Sequence, residues 1–177
     1  MKSKITSVLR LFKDTPKPFF PEAISAYHST SQALIWRRIF ILALLYVVSA
    51  WLGLQLQFSA SHATPVWPPS GVAIGLTFLF GVRLVPGVVI GAFVANFLDF
   101  CLKGYVLSDA VIAAGFISLG AMLEAWLALI MLRLLLGERF ISDTSSDIVG
   151  FVGTIAVACL LSASVGVVTF VALGLLP

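Results

Sequence analysis

Long apolar stretches separated by short polar segments occupy most of the chain after residue 38. The stretches cover residues 39–57, 71–82, 84–98, 110–136 and 148–176. A helix rises about 1.5 Å per residue, so roughly 20 apolar residues are needed to cross a hydrocarbon core of about 30 Å. The first, fourth and fifth stretches have that length, and we predict a membrane-spanning helix for each.

The second and third stretches are shorter than an ordinary span and are interrupted by turn-forming residues. The sequence Trp67-Pro68-Pro69-Ser70-Gly71 opens them, and Gly81, Arg83 and Pro86 separate them. Irregular backbone at membrane depth survives only where protein or a water-filled cavity surrounds it. Residues 67–96 are therefore our first candidate region for a site. Two short crossings and one re-entrant hairpin both remain open.

Composition places the chain among polytopic membrane proteins. Apolar residues make up 60% of the 177 residues and charged residues 11%, with a mean hydropathy of +1.08. Such values lie far from those of soluble globular domains. We predict an all-α, polytopic helical membrane protein with about five spans, including a short helix pair at 71–98. No length remains for a separate soluble catalytic domain, and nothing in the pattern predicts nucleic acid binding.

Residues 1–38 form a basic segment, and residues 39–177 form the predicted membrane domain. Ile5, Val8, Leu9 and Phe12 recur at helical spacing. They suit a short helix lying on the membrane surface, and the alternative is a disordered basic tail.

Charge distribution predicts the orientation. With the N-terminus inside, ten of the eleven lysines and arginines fall on the inner side, and Lys103 alone falls outside. Positive residues collect on the cytoplasmic side of membrane proteins. Outside the first 36 residues, the residues that set this topology are Arg37, Arg38, Arg83, Arg133 and Arg139.

Glu124 lies near the centre of the fourth stretch, where an unpaired carboxylate costs several kcal/mol. It therefore needs a partner, and the candidates are Asn96, Gln55, Gln57, Arg83 and the serines of the fifth stretch. Glu124 can be a protonated residue that joins two helices, or it can bind a ligand or sense protons. Asn96 has the same two interpretations. Trp67 and Pro68 either anchor a rigid interfacial loop or form the wall of a pocket.

Small residues recur at four-residue spacing on three helices, a pattern that lets helices pack closely. The residues predicted to serve helix packing are Gly71, Gly75, Gly87, Gly91, Ser162 and Gly166. Cys101 and Cys159 lack metal-ligand spacing, and we interpret both as small packing residues. No catalytic motif is recognisable, so we expect no enzyme activity, no metal and no cofactor.

Taken in order, several motifs resemble the first type of bacterial membrane-associated sensor domain. They are Trp67-Pro68-Pro69-Ser70-Gly71, Arg83-Leu84-Val85-Pro86-Gly87, Gly91-Ala92-Phe93-Val94-Ala95-Asn96, Leu123-Glu124-Ala125 and Leu132-Arg133. The resemblance implies an integral-membrane input domain of the bacterial inner membrane. Such domains precede cytoplasmic outputs such as diguanylate cyclase, phosphodiesterase, PAS or histidine kinase domains.

Members of that family continue through further spans, so we expect this chain to be the N-terminal part of such a domain. The leading hypothesis is a sensory input module for two-component or cyclic di-GMP signalling. Its expected partners are the lipid bilayer, a small-molecule ligand, and a second copy or a separate signalling protein. The alternatives are a small transporter or substrate-binding membrane subunit, and an assembly partner held by its glycine faces.

Overall fold

Five α-helices and one short 3-10 turn make up the described part of the chain. The computed structural model describes residues 32–56, 67–136 and 145–175. The helices are α1 (Gln32–Leu54), α2 (Pro68–Phe80), α3 (Val85–Leu102), α4 (Leu107–Leu136) and α5 (Ser145–Ala172), with the 3-10 turn Val82–Leu84 before α3. The described residues contain no strand, which confirms the predicted all-α class. The predicted surface helix, Gln57 and Arg139 lie outside these residues.

Four helices are long and apolar enough to cross a membrane: α1, α3 with its 3-10 turn, α4 and α5. Helix α2 has 13 residues and is shorter. The prediction of a short pair therefore holds for α2 only. Helix α3 continues past residue 98 because Asp99 is accommodated in its last turn, where it pairs with Lys103 at 2.7 Å. The apolar pattern, which stops before Asp99, predicts an end at residue 98, four residues too early.

Helix α2 runs antiparallel to α1 along most of its length. At one end, a Cβ placed on Gly53 would lie 3.0 Å from Cδ of Pro68. At the other end, Cζ of Arg38 lies 5.3 Å from the centroid of the Phe80 ring. The short helix, about 20 Å long, therefore covers the part of α1 between Arg38 and Gly53.

Helix α3 returns parallel to α1, in very close contact. A Cβ on Gly87 would come within 2.7 Å of the Ile39 carbonyl oxygen, and one on Gly91 within 2.7 Å of Tyr46 Cβ. Real Cβ atoms do not approach so closely, so glycine is required at both positions. Helices α2 and α3 both pack along α1, in opposite directions. Gly81, with φ of 90°, makes the turn between them.

Helix α4 occupies the centre of the bundle, and its alanines permit this. Ala121 and Ala125 pack in a core with residues of α1, α2 and α3. One turn further on, Ala128 joins Ile74 of α2 and Ala158 of α5 in a second core. Small side chains on several faces of one helix let its neighbours approach from several directions.

Helix α5 lies at the edge of the bundle and packs mainly against α4. Only 11% of its most apolar stretch is buried, compared with 44% for α4. A Cβ on Gly120 of α4 would lie 3.2 Å from Val165 of α5, so the two helices meet closely there. Most of the surface of α5 faces outward.

Candidate functional site

The Trp67-Pro68-Pro69 sequence starts α2 without exposing unused backbone donors. The first amides of a helix have no partner within the helix, which is costly away from water. Pro68 and Pro69 occupy the first two helical positions and have no N–H group. The next amide, that of Ser70, donates to the Trp67 carbonyl oxygen at 3.2 Å. The two prolines therefore remove the unpaired amides that a side-chain cap would otherwise have to satisfy.

Glu124 is buried near the middle of α4, with 4% of its surface exposed. The thiol of Cys159 on α5 donates a hydrogen bond to its Oε1 atom, with an Sγ–Oε1 distance of 3.3 Å. This hydrogen bond joins the central helix to the edge helix.

Ser70 extends this connection to α2. Its side chain lies beside the Cys159 thiol, so the sulfur atom has both a hydroxyl and a carboxylate as neighbours. Ser70 and Cys159 are both half-buried. The beginning of α2 is thereby connected, through one sulfur atom, to α4 and α5.

Tyr46 brings α1 to the same place. It is buried on α1, and its hydroxyl lies beside the indole of Trp67, whose N–H can only donate. Glu124 lies close enough to Tyr46 to interact with it electrostatically. We call Tyr46, Trp67, Ser70, Glu124 and Cys159 the Glu124 cluster. Its members come from α1, the start of α2, α4 and α5.

The comparison with known families agrees with this architecture. The model of the family MASE1, a membrane-associated sensor domain, matches residues 37–177. The chain belongs to the MASE1 family. No curated protein and no solved structure matches it. The resemblance predicted from the ordered motifs is confirmed, and the chain is a multi-pass membrane protein.

Two residues predicted for the pocket of the MASE1 domain belong to the Glu124 cluster. They are Trp67 and Glu124, and Pro68 lies directly beside Trp67 at the start of α2. Asn96 is placed differently, because its Nδ2 atom donates to the Ala92 carbonyl oxygen of its own helix at 2.7 Å. The structure therefore does not give Asn96 as the partner of Glu124.

The partner of Glu124 is Cys159, which the sequence pattern predicts to be a packing residue. Cys159 is hydrogen-bonded to the carboxylate, and this corrects our interpretation of it. Tyr46 and Ser70 were also missed. Ser70 stands inside the opening motif, and Tyr46 is a tyrosine within an apolar stretch, so each carried a weak signal. Cys159 carried none, because thiols are common in packed apolar helices.

The predicted packing residues of the MASE1 domain separate into two groups. Gly87 and Gly91 meet α1 at close range, as described above. A Cβ on Gly71, Gly75 or Gly166 would meet nothing within 4 Å, so these positions make no close helix contact within the described residues. The backbone of Ser162 faces Gly120 of α4, with its carbonyl oxygen 3.5 Å from a Cβ placed there.

The predicted topology residues that the structure describes lie towards one end of the bundle. Arg37 and Arg83 are exposed, and Arg38 and Arg133 are half-buried. Arg133 follows Leu132, and the core that contains Leu132 also contacts Phe78 in the last turn of α2. Among the described residues, no group of three or more His, Cys, Asp or Glu side chains is arranged to hold a metal ion.

Proposed function

We propose that this MASE1 domain is a membrane sensory input module that perceives its signal at the Glu124 cluster. The observation that carries the proposal is the buried Glu124 carboxyl group, hydrogen-bonded to a thiol on the edge helix. Acidic side chains inside a membrane are costly, and they mark functional sites by default. Membership of a sensor-domain family supports the same conclusion.

The chemistry of Glu124 leaves it available for a ligand. A carboxylate offers about four lone-pair sites, and a thiol is a weak hydrogen-bond donor. A ligand with a hydroxyl, amide or ammonium group would be a stronger donor and would replace the thiol at Oε1. The aromatic rings of Trp67 and Tyr46 would provide apolar contact area beside it. We therefore propose a small molecule that carries at least one strong donor group.

The same exchange would produce the signal. A ligand that takes Glu124 from Cys159 removes a hydrogen bond between α4 and α5, and it also disturbs the contact of Ser70 with the thiol. Helix α5 is free to respond because most of its surface faces outward. A ligand shifts an equilibrium only by its difference in affinity for the two states. Here that difference would arise at the Glu124–Cys159 hydrogen bond.

We further propose that the N-terminus is cytoplasmic, in the inner membrane of a bacterial cell. The excess of lysine and arginine on one side supports this orientation. The signal would then pass to a cytoplasmic output of two-component or cyclic di-GMP signalling, and the chain itself would catalyse no reaction.

The test replaces Glu124 by Gln and by Ala in the whole protein, expressed in its own host cell. We expect both variants to lose the signal-dependent change in cyclic di-GMP level or in response-regulator phosphorylation. Asp109→Asn is the control, because it removes the other acidic side chain of α4, which lies in the first turn of that helix. A normal response from both Glu124 variants, or an equal loss in the control, would contradict the proposal. Solute flux into proteoliposomes that is lost in Glu124→Gln would instead favour a transporter.

A further inference from the structure

Two rows of side chains face each other between α2 and α5. Residues four positions apart lie on the same face of a helix. The row on α2 is Ser70, Ile74 and Phe78, and the row on α5 is Phe151, Ile155 and Cys159. Ser70 lies beside the Cys159 thiol, and the other four side chains pack in one core. We call the contact between these two rows the α2–α5 seam.

The side chains along the α2–α5 seam change from large to small. Towards the end of α2, the four apolar side chains of the two rows close the seam. At the start of α2, Ser70 and Cys159 contribute only a hydroxyl and a thiol, and both residues are half-buried. Cys159 is also the hydrogen-bond partner of Glu124. The seam is therefore closed by its smallest side chains at the place where it borders the buried carboxyl group.

The lipid-facing border of the seam is also formed by small residues at this level. Gly71 follows Ser70 on α2 and is exposed, and a Cβ placed on it would meet nothing within 4 Å. On α5, Ala156 lies three residues before Cys159 and Ala163 four residues after it, and both alanines are exposed. No side chain of these three border residues extends beyond Cβ. A path from the lipid across this border to the carboxyl group passes between a hydroxyl and a thiol.

Tight packing closes other sides of Glu124 in the described part of the chain. Ala121 and Ala125, which flank it on α4, pack in a core with α1, α2 and α3, and only 4% of the surface of Glu124 is exposed. An approach from that side would have to separate α1 from α3 at Gly91, where the two helices meet closely. Helices α2 and α5, by contrast, make little backbone contact with each other. The α2–α5 seam is therefore the contact that opens with the least disturbance of packing.

We propose that the Glu124 cluster binds an amphiphile dissolved in the bilayer, whose hydroxyl head reaches Glu124 through the α2–α5 seam while its alkyl chain stays against Gly71 and Ala163. This inference rests on the proposed function, because it specifies the ligand of the same site. A hydroxyl is a stronger hydrogen-bond donor than the thiol that it would replace. Each CH2 group raises the concentration of such a molecule in the membrane about fourfold relative to water. A site that opens towards the lipid can therefore bind a ligand that is scarce in water.

The test is photolabelling of the purified full chain in lipid nanodiscs. The probe is a long-chain alcohol that carries a diazirine on its alkyl chain, and its methyl ether is the matched probe without a donor. Peptide mass spectrometry locates the adducts. We expect the alcohol to label the start of α2 and the middle of α5 about two- to tenfold more than the ether does, as one hydrogen bond predicts. An excess of dodecanol should remove this labelling, and glucose, which stays in water, should not.

Two kinds of variant separate the route from the carboxyl group. Gly71→Leu fills the border of the seam without a clash at Cβ, and we expect it to reduce labelling by the alcohol at least about fivefold. Gly153→Leu is the matched control, because Gly153 is an exposed glycine of α5 with nothing within 4 Å of a Cβ. It lies six residues before Cys159 and about 120° away around the helix, and labelling should not change. In Glu124→Leu and, less completely, in Glu124→Gln, the preference for the alcohol over the ether should decrease.

Gel filtration and circular dichroism establish that every variant is folded. Equal labelling by alcohol and ether in the wild type would overturn the inference, and so would undiminished labelling of Gly71→Leu or competition by glucose as strong as that by dodecanol. A signalling response that is lost in Glu124→Gln but normal in Gly71→Leu would overturn the route through the seam and leave the proposed function intact. The expected labelling together with a normal response of both Glu124 variants would support the binding site and contradict the proposed function.

Discussion

The Sγ atom of Cys159 lies 3.3 Å from Oε1 of Glu124, across the contact between α4 and α5. The two residues are 35 positions apart in the chain. Because Ser70 also contacts this thiol, the sulfur atom is a junction between three helices.

Replacing Cys159 by Val should destabilise the domain, because it removes the donor and leaves a buried carboxylate oxygen without its partner. We expect a loss of about 1–3 kcal/mol in the free energy of unfolding, measured by denaturant titration in mixed micelles. Cys159→Ser keeps a donor and should lose less. Cys101→Ser is the control, since Cys101 is exposed and should tolerate the change. Equal stability of Cys159→Val and wild type would show that the hydrogen bond is not stabilising.

The glycines of α2 and α3 should respond differently to the same substitution. Gly91→Ala places a Cβ within 2.7 Å of Tyr46 Cβ and 2.9 Å of the Ala43 carbonyl oxygen, so α1 and α3 must separate. We expect a destabilisation of about 1–3 kcal/mol. Gly75→Ala meets no atom within 4 Å and should be neutral or slightly stabilising, since alanine favours helices. Thermal unfolding in micelles compares the two variants. A similar melting temperature for both would argue against the close contact of α1 and α3.

Pro69→Ala should destabilise the domain, although alanine is the better helix former. The substitution adds a backbone N–H at the buried second position of α2, where no acceptor is available within the helix. An unsatisfied donor costs about 1–3 kcal/mol. Pro86 also stands near the start of a helix, α3, but it is exposed, so the new N–H in Pro86→Ala can reach water or lipid headgroups. A larger loss of melting temperature in Pro86→Ala than in Pro69→Ala would refute this explanation.

The orientation can be tested with a membrane-impermeant maleimide. Native Cys101 is exposed next to Lys103, on the side that we propose is outer, and it should react in intact cells. Arg83→Cys, in a chain that also carries Cys101→Ser, should react only after the cells are permeabilised. The reverse labelling pattern would place the N-terminus outside.

The main features of the fold could be predicted because residues that interrupt an apolar stretch are costly in a membrane and therefore stand out in the sequence. Prolines and glycines around residues 67–86 marked α2 as short, and the cost of burying a carboxylate singled out Glu124. By contrast, the spacing of Gly71 and Gly75 is the same as that of Gly87 and Gly91, and nothing in the sequence says which pair faces a helix. That difference depends on how each helix is rotated in the bundle.

The partner of Glu124 could not be predicted for a related reason. It depends on the register between α4 and α5, which their packing sets along the whole length of both helices. Asn96 is the better candidate by polarity, but an amide inside a helix can use the carbonyl oxygen one turn earlier, and Asn96 does so. The predicted end of α3 was too early because Asp99 pairs with Lys103 four residues later, which compensates the charge of the carboxylate.

The unequal lengths of α2 and α4 make hydrophobic mismatch a permanent property of this bundle. At 13 residues, α2 is about 20 Å long, while the 30 residues of α4 extend about 45 Å. A hydrocarbon core of about 30 Å is shorter than α4 and longer than α2, so α4 must tilt or extend beyond the core, whereas α2 matches only part of its thickness. A thicker membrane relieves the misfit of α4 and increases that of α2. A change in bilayer thickness therefore affects α2 and α4 in opposite senses. It would strain the contact between these helices, beside which Glu124 lies.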